Sequence, residues 1–335
     1  MAPKTITVIG SLNTDLVTLT PRVPSGGETL TASSFSTGSG GKGANQAVAC
    51  ARLSRPNPTS KSNAQPSNIT VKMVGAVGAD AFGPGIIKGM KEDGIDVSGI
   101  KVIEQQSTGV AVILVEESIG ENRILLSPGA NGTLQPTDFS TAQNLGSPLP
   151  GLIILQLEIP LPTVLQIIMT AKKAGVPVLL NPAPAVPLPE EVFQGLDHLI
   201  LNESEAALLT DRAVSEVEAP NFNFRTIAQE FQSKGVKNVV ITLGSKGAFY
   251  NYERTNSDGG VSQECGYVKV EKVKVVDTTA AGDTFVGAYA VETVLEERRE
   301  IKEVVKVACK AAGRTCEKAG AQNAIPWADE VERES

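Results

Sequence analysis

The sequence predicts a doubly wound α/β protein, with a mostly parallel sheet covered by helices on both faces and a small antiparallel β lid. Two observations carry that prediction. From Gly151 onward, short continuous apolar runs alternate with helical spacing. Leu152–Leu155, Val176–Leu180, Leu199–Leu201 and Val239–Leu243 read as strands, Leu161–Ala174 and the segment after Asn202 as helices. Strands apolar on both faces belong to a parallel sheet buried between helix layers. By contrast, Gly109–Glu116 and Glu121–Ser127 alternate apolar and polar residues around Ser118-Ile119-Gly120, the pattern of a hairpin with one wet face. With the Val17–Thr37 region it accounts for the lid, formed by about 15–39 and 102–127 and inserted in a single domain spanning 1–335.

In chain order, Thr5–Gly10 is the first strand, and it runs into Ser11-Leu-Asn13-Thr-Asp15. Polar residues at the carboxyl end of a buried strand stand where open α/β sheets bind ligands, although on their own an Asx turn is the better explanation of them. Thr29–Thr37 alternates weakly, as a solvent-facing strand does. Gly38-Ser-Gly-Gly-Lys-Gly-Ala-Asn-Gln46 then opens a helix over Ala44–Leu53. Its glycines formally fit the dinucleotide fingerprint, but the preceding segment is polar and no Asp or Glu occurs between Glu28 and Asp80 to hold a ribose. A Walker A loop is also absent. What remains is bare backbone beside Lys42 and Asn45, suited to close approach of a small polyhydroxylated ligand.

Ser54–Asn68, Val214–Asn223 and Arg254–Glu264 read as polar surface insertions, and Glu253–Cys265 as a hairpin loop. Ile69–Val77 is a strand followed by a helix to Asp93, and a final helix covers Ile301–Lys318.

Composition excludes several functions. A net charge of −7 argues against a nucleic-acid or anionic-membrane partner, and no apolar run approaches the ~20 residues of a membrane span. No targeting signal is seen, so a cytoplasmic protein is expected, with nuclear access left open. Cys50, Cys265, Cys309 and Cys316 are scattered, without zinc-ligand spacing, and are expected to be reduced. The single histidine, His198, rules out a His-rich metal site, and its apolar neighbours make it a structural core residue.

The most informative stretch is Asp277-Thr-Thr-Ala-Ala-Gly-Asp-Thr-Phe285. Val268–Val276 before it alternates as a strand would, and Thr284–Leu295 after it has helical spacing. Ala280, Ala281 and Gly282 leave the amides that open the helix accessible to an anion. Asp283 then sets a carboxylate beside that anion, which makes chemical sense if it removes a proton from a hydroxyl attacking phosphorus.

Together with Gly40-Gly-Lys-Gly-Ala-Asn-Gln-Ala47, this stretch resembles the two signatures of the ribokinase-like (phosphofructokinase-B-type) sugar kinases. Asn202-Glu-Ser-Glu205 and Thr242-Leu-Gly-Ser-Lys-Gly247 lie between them in the family's order. Asn13-x-Asp15 and Leu157-Glu158 point within the family to D-ribose. The resemblance implies transfer of the γ-phosphoryl group of ATP to the sugar 5-hydroxyl, with Asp283 as general base and the amides of Ala280, Ala281 and Gly282 as anion hole. It implies sugar binding by Asn13, Asp15, Gly41, Lys42, Asn45 and Glu158. Asn202 and Glu205 would organise the phosphates and hydrated Mg²⁺. Thr242, Gly244, Ser245 and Gly247 would form the nucleotide loop, with Cys309 near adenine. A K⁺ activator would be held by Asp277 and Thr279 with Thr315, Lys318 and Gly320, although Ala324 stands where a side-chain oxygen is common. A homodimer through the lid is also implied. Two rivals are a kinase for another sugar or a nucleoside, and a sugar-binding regulator without catalysis.

Overall fold

The computed structural model describes residues 4–60, 67–119, 121–255, 260–295 and 300–331. Its first half contains β1 (Lys4–Ile9), β2 (Asn13–Thr20), β3 (Ser34–Gly40), α1 (Lys42–Leu53), β4 (Ile69–Gly78), α2 (Gly83–Glu92), β5 (Asp96–Ile103), β6 (Gly109–Glu116) and β7 (Glu121–Ser127). The second contains β8 (Leu152–Leu155), α3 (Leu161–Ala174), β9 (Val178–Leu180), β10 (His198–Asn202), α4 (Glu203–Leu209), α5 (Val214–Val217), α6 (Phe224–Ser233) and β11 (Asn238–Thr242). It continues with β12 (Ala248–Thr255), β13 (Val261–Val268), α7 (Ala281–Leu295) and α8 (Ile301–Cys316).

Nine strands make one sheet in the order β13-β12-β11-β10-β9-β8-β1-β4-β5, parallel from β11 to β5 and antiparallel only at the β11–β12–β13 edge. Ile6, Val8 and Ile9 of β1 and all four residues of β8 are buried, as strands covered on both faces must be. Two apolar layers flank the sheet. One joins α1, α2, α7 and α8; the other joins α3, α4 and α6. Helix ends follow local chemistry. α3 closes on Gly175 at φ 68°, and α4 opens with a reciprocal Asn202–Glu205 capping box.

α7 is buried nearly all round and lies against α1. Gly287 permits this contact, since a Cβ there would stand 2.4 Å from the Ala49 methyl carbon. The contact sets the starts of α1 and α7 side by side, and the site is built there.

The second sheet has the order β3-β2-β6-β7. Its outer pairs are antiparallel, while β2 and β6 run parallel with Asp15 opposite Ala111. β3 falls later than the expected Thr29–Thr37 strand, and Val102 and Ile103 finish β5 of the main sheet.

Three local expectations are corrected. Val268–Val276 is not a strand. β13 ends at Val268, and the following residues have no strand partner, so alternation alone does not make a strand. The Val276 and Asp277 amides instead both donate to the Cys316 carbonyl, at 2.8 and 3.3 Å. Glu253–Cys265 mostly belongs to strands β12 and β13, because β11 offers an edge on which the hairpin pairs. Val214–Asn223 includes α5, whose Val217 is fully buried. Parts of the insertions near 54–68 and 254–264 lie outside the described residues. None of the described helices is long and apolar enough to cross a membrane.

Candidate active site

The site begins where β1 ends and α1 starts. Gly41 adopts φ 89° immediately before the helix, and a Cβ on Gly43 would stand 2.6 Å from the Ser11 amide nitrogen. The glycines therefore let the start of α1 settle onto the Ser11–Asn13 loop. Glu158, following β8, fastens the two. Its Oε2 accepts from the Ser11 hydroxyl at 2.6 Å, the Lys42 amide at 3.0 Å and the Asn13 side-chain amide at 3.3 Å. Asn131 holds Asn13 in turn, donating to its Oδ1 at 2.7 Å while bridging the Leu12 backbone.

Asp15 emerges from β2 against Gly40, where a Cβ would stand 2.2 Å from a carboxylate oxygen. Burial, then the charges of Glu158 and Asp283, push its pKa up to about 7. Burial works to lower the Lys42 pKa, but Asp283, Glu158 and Glu205 outweigh it and raise the pKa, so the lysine is an ammonium surrounded by carboxylates.

Asp283 is buried in the first turn of α7, 7% exposed. Its Oδ1 accepts from Gln46 at 2.9 Å and its Oδ2 from Asn45 at 3.0 Å, so two successive α1 side chains grip both oxygens. Just before it, Ala280 sits at φ 60°, a left-handed conformation that disfavours any residue with a Cβ. Thr284 stabilises that turn, its amide and hydroxyl donating to the Ala280 carbonyl at 2.8 and 2.9 Å. Gly282 faces open space. The Ala281 amide already donates to the Thr278 carbonyl at 3.2 Å, so of the three expected anion-hole amides it alone must exchange a turn bond for a ligand.

The other half of the cleft is more open. Asn202 and Glu205 cap α4, with Glu205 Oε2 accepting from the Asn202 amide at 2.9 Å. Burial raises the Glu205 pKa against that bond. The Thr242 hydroxyl reaches only the Leu201 carbonyl, at 3.5 Å. Gly244 and Gly247 turn the loop after β11 at φ 54° and 103°, and Ser245 between them is exposed. Cys309 of α8 is 5% exposed, its thiol pushed up to about 12 by burial.

Beside the start of α7, the Asp277 side chain bonds Thr279 and Gly320, and its amide reaches the Cys316 carbonyl next to Thr315. Its Oδ1 accepts from the Thr279 amide and hydroxyl at 2.9 and 2.7 Å, and its Oδ2 from the Gly320 amide at 2.9 Å. Burial opposes its charge, but these donors and the Thr278 amide outweigh it and hold the pKa below the usual range. Thr315 donates to the Thr284 hydroxyl at 2.8 Å, and the Lys318 amide to the Thr315 carbonyl at 3.2 Å. Ala324 is fully buried. Among the described residues no cluster of three or more His, Cys, Asp or Glu side chains could hold a metal ion. His198 is structural, as expected. It is buried, with Nδ1 2.9 Å from the Tyr289 hydroxyl, and burial lowers its pKa to about 4.

Sequence reasoning gave no role to Ser11, Gln46 or Asn131. The available signal for Gln46 was a polar side chain on a helix whose neighbours Ala44, Ala47, Val48 and Ala51 are all small or apolar.

Known proteins resemble this chain along nearly its whole length. The profile described as pfkB family carbohydrate kinase matches residues 3–328. A ribokinase of Schizosaccharomyces pombe is 46% identical, covering 98% of this chain and 96% of its own. A deoxyribokinase of Salmonella typhi is 36% identical over 96% and 95%. The structure of Arabidopsis thaliana ribokinase complexed with ribose and ATP superposes with a TM-score of 0.79 at 31% identity, covering 99% of this chain and 98% of that one. The chain belongs to the pfkB family of carbohydrate kinases.

Proposed function

We propose that this protein transfers the γ-phosphoryl group of ATP to the 5-hydroxyl of D-ribose, giving D-ribose 5-phosphate and ADP. The observation that carries the reading is the buried Asp283 carboxylate, fixed at both oxygens beside a strained helix start, at full-length similarity to ribokinases. Asn13, Asp15, Gly41, Lys42, Asn45 and Glu158 bind the sugar. A ring of carboxylates, amides and one ammonium matches hydroxyls that both donate and accept. Asp283 takes the 5-hydroxyl proton as the oxygen attacks phosphorus, and the helix-start amides of Ala280–Gly282 receive the transferring group. Lys42 lies within the field of Asp283, Glu158 and Glu205, so its charge bridges sugar and phosphate.

Thr242, Gly244, Ser245, Gly247 and Cys309 serve the nucleotide. Mg²⁺ fits as an ion carried on the phosphates rather than in a protein cage, with Asn202 and Glu205 organising its hydration. K⁺ fits beside Asp277, whose depressed pKa keeps a negative charge between the turn at Thr279 and the end of α8 with Thr315, Lys318 and Gly320. Bound there, it would add positive charge near the anion hole. The four free cysteines and ATP as donor support a cytoplasmic site of action.

The second sheet acts as a lid over the sugar and as a dimer surface. Support for the latter is its exposed apolar row, with Leu125 at 68% and Phe35 at 62%. Leu125→Arg is expected to move the sedimenting species from dimer to monomer; a monomeric parent protein overturns the reading.

The test of function is ADP release by purified protein with Mg-ATP, comparing no sugar, D-ribose and 2-deoxy-D-ribose in K⁺ and Na⁺ buffers. Ribose-dependent ADP is expected, faster in K⁺. ADP formed better with 2-deoxyribose shifts the substrate, and silence with every sugar favours a binding protein. Equal rates in K⁺ and Na⁺ remove the cation.

A further inference from the structure

Behind Asp283 lies a chain of buried amides that touches neither the sugar residues nor the nucleotide loop. Gln46, fully buried, donates through Nε2 both to Asp283 Oδ1 at 2.9 Å and to Asn181 Oδ1 at 3.0 Å. Its Oε1 accepts from Gln156 Nε2 at 2.6 Å, and Gln156 is fully buried as well. Asn181 donates through Nδ2 to the Ile200 carbonyl of β10 at 2.9 Å.

Side-chain amides can be turned end for end, so their direction has to be inferred from a partner whose role is fixed. Here that partner is the Ile200 carbonyl, which can only accept. It obliges Asn181 to present its NH₂ to β10 and its oxygen to Gln46. Gln46 must then present its NH₂ to Asn181, which turns the same nitrogen toward Asp283 and leaves its oxygen to Gln156. The backbone of the central sheet thereby dictates that Asp283 meets a donor rather than an acceptor.

We propose that Gln46 is a positioning residue for the reaction, holding Asp283 as an oriented, ionised carboxylate through an amide relay anchored on β10. This rests on the reading of Asp283 as general base. An N–H donor favours the charged carboxylate, and its removal raises the pH at which the base is lost. The charged groups that interact with Asp283 are Lys42 of α1, Asp15 of β2 and Glu205 of α4, and Glu158 after β8 interacts in turn with Asp15 and Lys42. All four remain in a Gln46 variant, so a change in the profile reports the relay.

The experiment is the pH dependence of kcat at saturating ribose and Mg-ATP, for the parent protein, Gln46→Met and Gln46→Glu, with ribose binding by calorimetry as the folding control. Gln46→Met keeps similar volume without the donor. It is expected to lower kcat near neutrality about tenfold and to move the acid limb upward by about half to one pH unit. Gln46→Glu sets a second carboxylate against the base, and its limb is expected to move further in the same direction. Should either variant fail to fold, Asn181→Leu removes the acceptor through which β10 fixes the Gln46 amide, and a smaller shift of the same sign is expected. Unmoved acid limbs in folded variants overturn the proposal, even if kcat falls uniformly, because a packing role alone would do that. If Asp283→Asn retains turnover, it is the base assignment that falls instead.

Discussion

The residues proposed to bind the sugar and those proposed to bind the nucleotide differ in how much is fixed before a ligand arrives. On the sugar side one oxygen of Glu158 collects three donors, Asp283 is held at both oxygens, and Asn13 is held by Asn131. Among the residues proposed for the nucleotide, Gly244 and Ser245 are exposed and the Thr242 hydroxyl makes one bond, at 3.5 Å. The difference follows from the ligands. A small sugar offers only hydroxyls, so discrimination needs several side chains at set distances, buried where each bond counts. A nucleotide brings phosphates that backbone amides and helix starts can receive with few dedicated side chains. The sugar half also has a cost. Burial first, and then the neighbouring charges of Glu158 and Asp283, disfavour the Asp15 carboxylate, as its raised pKa records.

The largest expected effect comes from Asp283→Asn. It removes the base while keeping the size of the side chain, so kcat is expected to fall about 10²–10⁴-fold with the ribose KM little changed. Initial rates at varied ribose check it, and near-parental turnover would remove the chemical core of the sugar half.

Asp15→Asn sharpens the contrast from the other direction. The ribose KM is expected to rise about 10–100-fold, as loss of a charge-assisted bond implies. The same change is expected to stabilise the ligand-free protein at pH 8. The folded pKa of about 7 lies above the ordinary value of 3.8, so the folded state binds the extra proton and stability falls as pH rises from about 4 to 7. Melting curves should therefore separate variant from parent at pH 8 and converge toward pH 4. A variant that melts lower than the parent at pH 8 would show that Asp15 carries no such strain.

The smallest effect is expected on the nucleotide side. Gly244→Ala places a Cβ at φ 54°, costing about 1 kcal/mol with open space around it, and the ATP KM is expected to rise about fivefold. An equal rise in the ribose KM would show that the two halves are not separately organised.

Most regular elements were legible in the sequence. Leu152–Leu155 and Leu161–Ala174 fall where periodicity sets them, because each buries one complete face or both, and Gly109–Glu116 and Glu121–Ser127 fall where their alternation sets them although the latter is exposed throughout. The failures cluster around the β12–β13 hairpin and the approach to Asp277. Val268–Val276 has strand-like alternation but no edge to pair with, whereas the polar β12–β13 hairpin pairs because β11 leaves an edge open. A local pattern shows what a segment could form, not whether a partner is present.

Sequence by itself determined the α/β class, the two glycine-bounded helix starts and the residue types of the site, since each depends on local periodicity or on residues whose side chains are small. Only the tertiary structure decided that α1 and α7 meet across Gly287, that Asn45 and Gln46 share the two oxygens of Asp283, and that β10 sets the direction of the amides behind them. The contacts of Asp283 with Asn45 and Gln46 join residues more than two hundred positions apart along the chain, and the directions of the amides follow from hydrogen-bond partners that exist only once the sheet has formed.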